Sequence, residues 1–494
     1  MSQGAPAGSV VRRSVVSLFV SNAVSFAALG ASYLLYSRLL SPAQFGLYST
    51  AVVIGQFGQL LLDGGIKNTI IKAPTPPSRQ EQGTVVALMA ALSLLLVGGL
   101  AAGGGPITHF YPAAGQDYTF LAAFGAMYLL SYPWLAMPTA FLERRFDYRR
   151  LAFIESIAQV LERCTPAALL ALTPLGMSAF LVGVLLGRGF RVAAVNLGYR
   201  SMVTVPGWSQ VRDAAHLIRE GGWLQLGVVA SQIRDSLHVL IVGPLFGQAW
   251  VGYYGWSMQL SLICSQAFVQ ISARVSVPVF AQSGDFEARW RHCLAQVRVL
   301  TALTGPILVA ALLLVPSVNA HLFHNRWQPA LAILPLIFLR MLPGLATTPV
   351  GTLVMVDRGG RRLTATLVLW TLVEVVVALA LVVPAGSSAV AWSYGITAWV
   401  GLWIMLQSLR VHGRPLLLDS ARAILARPGL GVAAGLGALL AAALLASGGL
   451  ARPHYALLLG PVVLIVAAAY AAEPRLRRLL RRPRERPAPP SRID

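Results

Sequence analysis

Six ionisable side chains sit deep inside stretches that are otherwise apolar: Glu162, Arg163, Arg234, Asp235, Arg340 and Glu374. A charge in the middle of a membrane-length apolar run is costly, so such residues face one another or a water-filled cavity and mark routes for ions and polar substrates. Arginine stays charged at any relevant pH, and its planar fork grips two oxygens of a phosphate or carboxylate at once. Carboxylates at the same depth can balance that charge or carry a coupling ion.

Spacing adds neighbours to this set. Gln225, Gln232 and Asp235 are separated by seven and three, so a helix places them near one face; Ser231, Arg234 and His238 follow at three and four on the adjoining face. Glu155, Gln159 and Glu162 repeat the pattern at i, i+4 and i+7. Such broad polar surfaces fit helices that line a cavity. Lys67, Arg188 and Arg191 lie nearer one end of their runs and could receive an anionic headgroup there. We assign Arg163, Arg234, Arg340, Gln225, Gln232, Lys67, Arg188 and Arg191 to substrate binding, and Glu162, Asp235, Glu374 and His238 to charge balance or ion coupling. The competing expectation is structural pairing: Asp63 with Lys67 at i, i+4, Arg234 with Asp235 or Glu374, and His238 as a hydrogen-bonded helix residue.

The elements that must position these residues are transmembrane helices. The chain has 494 residues, 56% hydrophobic and only 12% charged, against about 25% charged in soluble domains. Apolar runs near 14–36, 44–70, 84–107, 118–142, 151–172, 175–197, 222–245, 250–273, 295–316, 329–350, 363–383, 386–408, 430–448 and 454–472 are each long enough to cross a hydrocarbon core of about 30 Å. With the N-terminus in the cytoplasm, 30 of the 39 Lys and Arg fall in or at the edge of inner segments and three (Arg38, Arg326, Arg452) in outer loops, as the positive-inside rule demands. The net charge of +21 is therefore a record of orientation, with the tail Arg475–Arg486 against anionic lipid, and not a nucleic-acid surface.

The fold class is thus an all-α polytopic membrane protein of about fourteen helices with both termini cytoplasmic. No cleavable signal peptide is apparent, so the first helix serves as an anchor. Cys164, Cys264 and Cys293 have no pairing or metal spacing and read as packing residues. Pro133, Pro138, Pro306 and Pro343-Gly344 mark places where spans can bend, and Pro384 a break between the eleventh and twelfth. Tyr111, Trp208, Trp250, Tyr253 and Trp327 near helix ends read as interfacial belt residues.

Leu39, Ala43, Gly46 and Tyr48 recur 206 residues later as Leu245, Ala249, Gly252 and Tyr254. Six helices separate the copies, so the repeat is parallel, a plan that places a transport site between two halves. The expected organisation is an N-terminal lobe over 1–200, a cytoplasmic linker over 201–221, a C-terminal lobe over 222–410, an appended helix pair over 411–472 and a basic tail over 473–494.

Arg38-Leu-Leu-Ser-Pro-Ala-Gln-Phe-Gly-Leu-Tyr48 resembles the hallmark between helices 1 and 2 of bacterial polysaccharide flippases. Asp63-Gly-Gly-Ile66 resembles the acidic-Gly stretch ending their second helix, and Leu142-Glu-Arg-Arg-Phe-Asp-Tyr-Arg-Arg150 their basic, aromatic loop. The family belongs to the multidrug/oligosaccharidyl-lipid/polysaccharide exporter superfamily. The resemblance implies two six-helix bundles around a central cavity and export of undecaprenyl-diphosphate-linked repeat units across the bacterial inner membrane by alternating access. It implies no cofactor and no metal. Expected partners are the lipid-linked oligosaccharide, membrane lipids and a polysaccharide polymerase or export complex. A multidrug or cation antiporter and a lipid II flippase are the alternatives within the superfamily. A polymerase or ligase fits less well: the longest outer loop, 316–328, holds only His321, His324 and Arg326 as candidates, and no nucleotide-binding loop is present.

Overall fold

The computed structural model describes residues 25, 27–72, 77–105, 117–145, 147–197 and 208–409. Among these there is no strand. The helices are α1 (27–39), α2 (Pro42–Asp63), α3 (Ile66–Lys72), α4 (Arg79–Ala102), α5 (Tyr118–Arg144), α6 (Tyr148–Leu172), α7 (Ser178–Asn196), α8 (Trp208–Asp235), α9 (Gln248–Gln282), α10 (Phe286–Leu322), α11 (Gln328–Arg358), α12 (Gly360–Ala385) and α13 (Ala389–Ser408). The described parts of the first twelve expected spans fall mainly on helix; residues 14–24 and 26 of the first lie outside the described residues. The last two, the appended pair and the basic tail lie outside the described residues, as does Tyr111.

Local sequence sets the boundaries. Ser41 caps α2 in a reciprocal box with Gln44, with Pro42 in the first turn. Ser78 and Glu81 do the same for α4. Asp147 and Asp285 accept from the backbone N–H of Arg150 (3.3 Å) and Ala288 (2.9 Å) to start α6 and α10. Single left-handed glycines, Gly247 (φ 85°) and Gly359 (φ 82°), separate consecutive helices without a loop.

Among the described residues, seven stretches are long and apolar enough to cross a membrane, or eight if bent α8 and its extension form one span. This is a multi-pass membrane protein. α6 fails that apolarity test because it carries Glu155, Gln159, Glu162 and Arg163.

Several expectations change. The span 44–70 is broken at Gly64 (φ 50°) and Gly65 (φ 80°), which separate α2 from α3. Helices run on through Pro133, Pro138, Pro306 and Pro343. The sharp break lies in the seventh span, where α8 gives way to a π-helical turn, His238–Val242, and a short helix, Gly243–Phe246, at 49°. Pro244, which lacks an N–H, opens the short helix that follows the π-helical turn. The break before α13 falls at Gly386 (φ 53°), with Pro384 still inside α12. α8 begins at Trp208, so it runs through the expected linker.

Helices α2 to α7 pack mainly on one another, as do α8 to α13. The two sets meet along α2 and α9 and where α8 reaches α2, α3 and α4. α1, α2, α5, α7, α9, α10 and α11 share a core rich in aromatic rings, including Tyr33, Tyr36, Phe45, Phe124, Phe180, Trp256 and Trp327. Trp327 is fully buried. This overturns its reading as a belt residue: its ring faces protein, because the 323–327 turn folds over the end of α1.

Candidate functional site

A cavity of about 620 Å³ lies between the two sets of helices. It is lined from α1, α2, α5, α6 and α7 on one side and α8, α9 and α11 on the other. One end of the bundle closes it. There, α2 and α9 cross backbone to backbone at Gly46 and Gly252, and Gln248 Nε2 donates to Thr50 Oγ1 at 3.0 Å. Trp256 stacks on Trp327 with centroids 5.2 Å apart. The two indole N–H groups donate to Ser37 Oγ and Ser37 O, both at 2.9 Å. Arg326 donates to the carbonyls of Arg38 (2.8 Å) and Leu40 (2.9 Å), a cation on the C-terminal end of α1. From this seal the cavity runs between α1 and α9 as far as Ser25 and Gln270. The halves also touch across α2 and α8, where Gln225 Nε2 donates to Leu60 O at 2.6 Å and Gln232 Nε2 to Gln56 Oε1 at 3.0 Å.

Of the residues expected to bind substrate, Arg163, Arg340 and Gln232 line the cavity. Of those expected to balance charge, Glu162, Asp235 and His238 do so. Arg234, Gln225, Lys67, Arg188, Arg191 and Glu374 are not in its wall.

The six deep charges resolve into two groups. On the α8 side, Arg340 donates to the Asp235 carboxylate, which is half exposed to the cavity. Arg234 sits behind, buried, 3.4 Å from Asp235 and 3.9 Å from the fully buried Glu374. Rings fix both guanidinium planes: Arg234 lies 3.8 Å over Trp370 and Arg340 4.3 Å over Tyr394. Tyr394 Oη donates to the Asp235 carbonyl at 3.3 Å and lies 3.4 Å from His238 Nδ1. This group holds two arginines and two carboxyl groups.

On the α6 side, Glu162 pairs with buried Arg188 at 3.2 Å. Arg188 lies 3.4 Å over the Tyr128 ring and donates to Ser131 Oγ at 3.2 Å. Arg191 pairs with Glu155 at 2.9 Å. Lys67 pairs with Glu143 at 2.7 Å, while Asp63 accepts from Tyr132 Oη at 2.8 Å. The expected Asp63–Lys67 pair is therefore absent, because the two left-handed glycines between them destroy the i, i+4 relation. Arg163 has no ion pair among the described residues; its backbone carbonyl accepts from Tyr36 Oη at 2.6 Å. Of the charged side chains in the cavity wall, Glu162 and Asp235 are each engaged by an arginine and Arg163 is in no ion pair among the described residues.

Sequence reasoning missed the aromatic wall: Tyr33, Tyr36, Phe45, Tyr48, Phe124, Tyr128 and Phe180 all face the cavity. The only sequence signal was spacing, three to four residues within α1, α2 and α5, which an ordinary core shares.

A family profile described as "Polysaccharide biosynthesis protein" matches residues 35–332. The chain is similar to the lipopolysaccharide biosynthesis protein WzxC of Escherichia coli (strain K12), 22% identical over 326 residues that cover 65% of this chain and 64% of that one. It is similar to the succinoglycan biosynthesis transport protein ExoT of Rhizobium meliloti (strain 1021), 24% identical over 61% of this chain and 60% of that one. The chain thus spans somewhat less than two thirds of the length of these relatives. In fold it resembles the lipid II flippase MurJ in an inward closed conformation, with a TM-score of 0.73 at 13% identity, over 95% of this chain and 99% of that one. An inward-facing multidrug resistance transporter of the MATE family aligns with a TM-score of 0.57 at 13% identity, over 79% and 98%. With a profile match running over more than half of its length, this chain belongs to the polysaccharide biosynthesis protein family.

Proposed function

We propose that this chain is a transporter that moves an undecaprenyl-diphosphate-linked oligosaccharide from the cytoplasmic to the periplasmic leaflet of the bacterial inner membrane by alternating access. The observation that carries the reading is the cavity between the two helix sets, lined by Arg163 without a counter-ion and by Arg340 on an exchangeable carboxylate. A lipid-linked diphosphate is an anion with a polar head too large to cross a bilayer unaided, and a guanidinium-lined cavity meets both needs. The names of WzxC and ExoT support the same class of substrate.

In this reading Arg163, Arg340 and Gln232 touch the headgroup. Asp235 is the internal anion that a phosphate displaces from Arg340. Arg234, Glu374 and His238 hold Asp235 in place, and Arg188, Arg191, Lys67 and Gln225 brace the helices. The organisation is two six-helix lobes, 1–200 and 222–410, joined by 201–221, followed by a helix pair over 411–472 and a tail over 473–494. Both termini are cytoplasmic, which makes the sealed end periplasmic, and the 30-to-3 distribution of basic residues supports this orientation. The chain performs no covalent chemistry; a polymerase or export complex takes over its product.

The test is a flipping assay in proteoliposomes holding a fluorescent polyprenyl-diphosphate oligosaccharide, comparing the native chain with Arg163→Ala and Arg340→Ala. Transport by the native chain and its loss in both folded variants is the expected result. Export of organic cations against protons, with the lipid ignored, would put the antiporter reading in its place.

A further inference from the structure

The end of the bundle opposite the seal carries cations with no acid to balance them. α11 starts beside the seal at Gln328 and ends 31 residues later, where the turn Asp357-Arg-Gly-Gly-Arg-Arg362 leads into α12. The one acid of that turn, Asp357, is shared by two arginines, 3.2 Å from Arg289 and 3.2 Å from Arg358. Arg361 and Arg362 are exposed and have no ion pair among the described residues. The Arg361 guanidinium lies 5.6 Å from the ring of Trp223 on α8, near the outer limit of a cation–π contact. Trp223 is itself 53% exposed. The two helices are tied together at this corner. Thr364 Oγ1 donates to the Trp223 carbonyl at 2.8 Å, and the Leu224 side chain lies so close to Gly360 that a Cβ there would strike it.

Depth says what meets these groups. Glu374 lies in the middle of α12, and Arg361 precedes it by thirteen residues, about 20 Å. Trp223 precedes Asp235 on α8 by twelve residues, about 18 Å. Half of a hydrocarbon core is about 15 Å, so both side chains stand in the headgroup layer, where lipid phosphates lie and indole rings settle. Beneath Arg362 the outward face of α12 is apolar and exposed at steps of three and four residues: Leu369, Leu372, Val376, Leu379 and Val383. A cationic crown above an apolar stripe matches a phospholipid, with its phosphate at the crown and its acyl chains along the stripe. α12 contributes no residue to the cavity wall, so a molecule held here lies off the transport route.

We propose that Arg361, Arg362 and Trp223 form a binding site for an acidic phospholipid of the inner leaflet, separate from the cavity. The guanidinium forks donate to the phosphate oxygens, and a basic pocket between helices at the cytoplasmic face is where acidic headgroups bind. A zwitterionic lipid brings its own ammonium next to the phosphate, which the arginines repel, so the site selects by headgroup charge. The bound lipid bridges α8 and α12, the helices that carry Arg234, Asp235 and Glu374. The choice of leaflet rests on the orientation proposed above; the site does not depend on what the cavity carries.

Native mass spectrometry of the purified full-length chain, with phosphatidylglycerol and phosphatidylcholine of identical acyl chains in competition, tests the site without any transport assay. The first bound lipid is expected to be phosphatidylglycerol by about 30-fold, about fivefold for each arginine. Arg361→Gln and Arg362→Gln should each cut that preference about fivefold, and the double variant should leave little of it. Arg361→Lys/Arg362→Lys should keep most of it, since the charge remains. Equal binding of the two lipids by the native chain overturns the proposal. So does a double glutamine variant of native thermal midpoint that keeps the full preference, because the acidic lipid then sits elsewhere; if the double variant does not fold, the two single variants decide. Arg298→Gln, exposed on α10, is expected to leave the ratio unchanged. A loss there equal to that of Arg361→Gln would make the preference a diffuse effect of surface charge and overturn the site. Inorganic phosphate at millimolar concentration is expected not to displace the lipid; displacement would make this a site for free anions and overturn the lipid assignment.

Discussion

Gly46 and Gly252 face each other at the crossing of α2 and α9, each where a side chain would have to occupy the other helix's backbone. A Cβ on Gly46 would strike the carbonyl oxygen of Gln248, and one on Gly252 the carbonyl oxygen of Pro42. Pro42 and Gln248 are 206 residues apart, as are Gly46 and Gly252. The contact is therefore reciprocal, as a two-fold axis between the repeats would make it. Small residues let helices approach in a membrane, where no hydrophobic force pushes them together.

Gly46→Ala and Gly252→Ala are accordingly expected to have matching effects. Each adds a methyl group where none fits, at a cost of about 1–3 kcal/mol to the sealed state. The seal should loosen about 5- to 160-fold. Labelling of Ser49→Cys, which lines the cavity beyond the crossing, by an impermeant thiol reagent added at the sealed side measures this. An unchanged labelling rate in either variant would mean that the crossing is not the barrier.

The repeat was legible as a pattern, but not as a contact, because sequence spacing says that two segments correspond and not that they touch. The helices were legible from hydropathy, and the deep charges from their depth. Which charges face the cavity was not. Arg234 and Arg340 look alike in sequence, yet one is packed on Trp370 behind Asp235 and the other stands in the wall. Trp327 was misread because an amphipathic ring at a helix end looks the same whether lipid or another helix covers it. Asp63 and Lys67 were misread because the spacing rule holds only within a continuous helix.

Arg326 should be a second determinant of the sealed state. It bonds the last carbonyls of α1 across the boundary between the two halves. Arg326→Gln is expected to weaken the seal by about 1 kcal/mol, the value of a cation at a helix C-terminus. The same labelling assay at Ser49→Cys should show a rise of about fivefold, smaller than that of the glycine variants.

Arg234 is expected to matter for folding more than for contact with substrate. It is buried against fully buried Glu374 at 3.9 Å. Arg234→Met leaves that carboxylate without its cation, at a cost of about 3–5 kcal/mol. The double variant Arg234→Met/Glu374→Leu should recover most of the loss, since it removes both charges. Thermal unfolding in detergent of the two single variants and the double variant closes the cycle. Additive losses would show that the two side chains do not interact.

The last expectation concerns why Arg163 is free at all. Glu162 precedes it in sequence and lines the same cavity, and would be a ready partner. Arg188 holds Glu162 instead, at 3.2 Å, itself fixed by the Tyr128 ring and Ser131. Removing Arg188 should therefore do more than destabilise the α6–α7 pair. It releases Glu162 to neutralise Arg163, so the cavity loses its uncompensated charge although Arg163 is still present. Arg188→Met is expected to abolish lipid transport in protein that remains folded, and Arg188→Met/Glu162→Gln to restore a measurable part of it by leaving Arg163 alone again. The flipping assay, run on variants matched for yield and thermal midpoint, decides the matter. If the double variant is as inactive as the single one, Arg188 acts in transport directly and not through the charge it keeps away from Arg163.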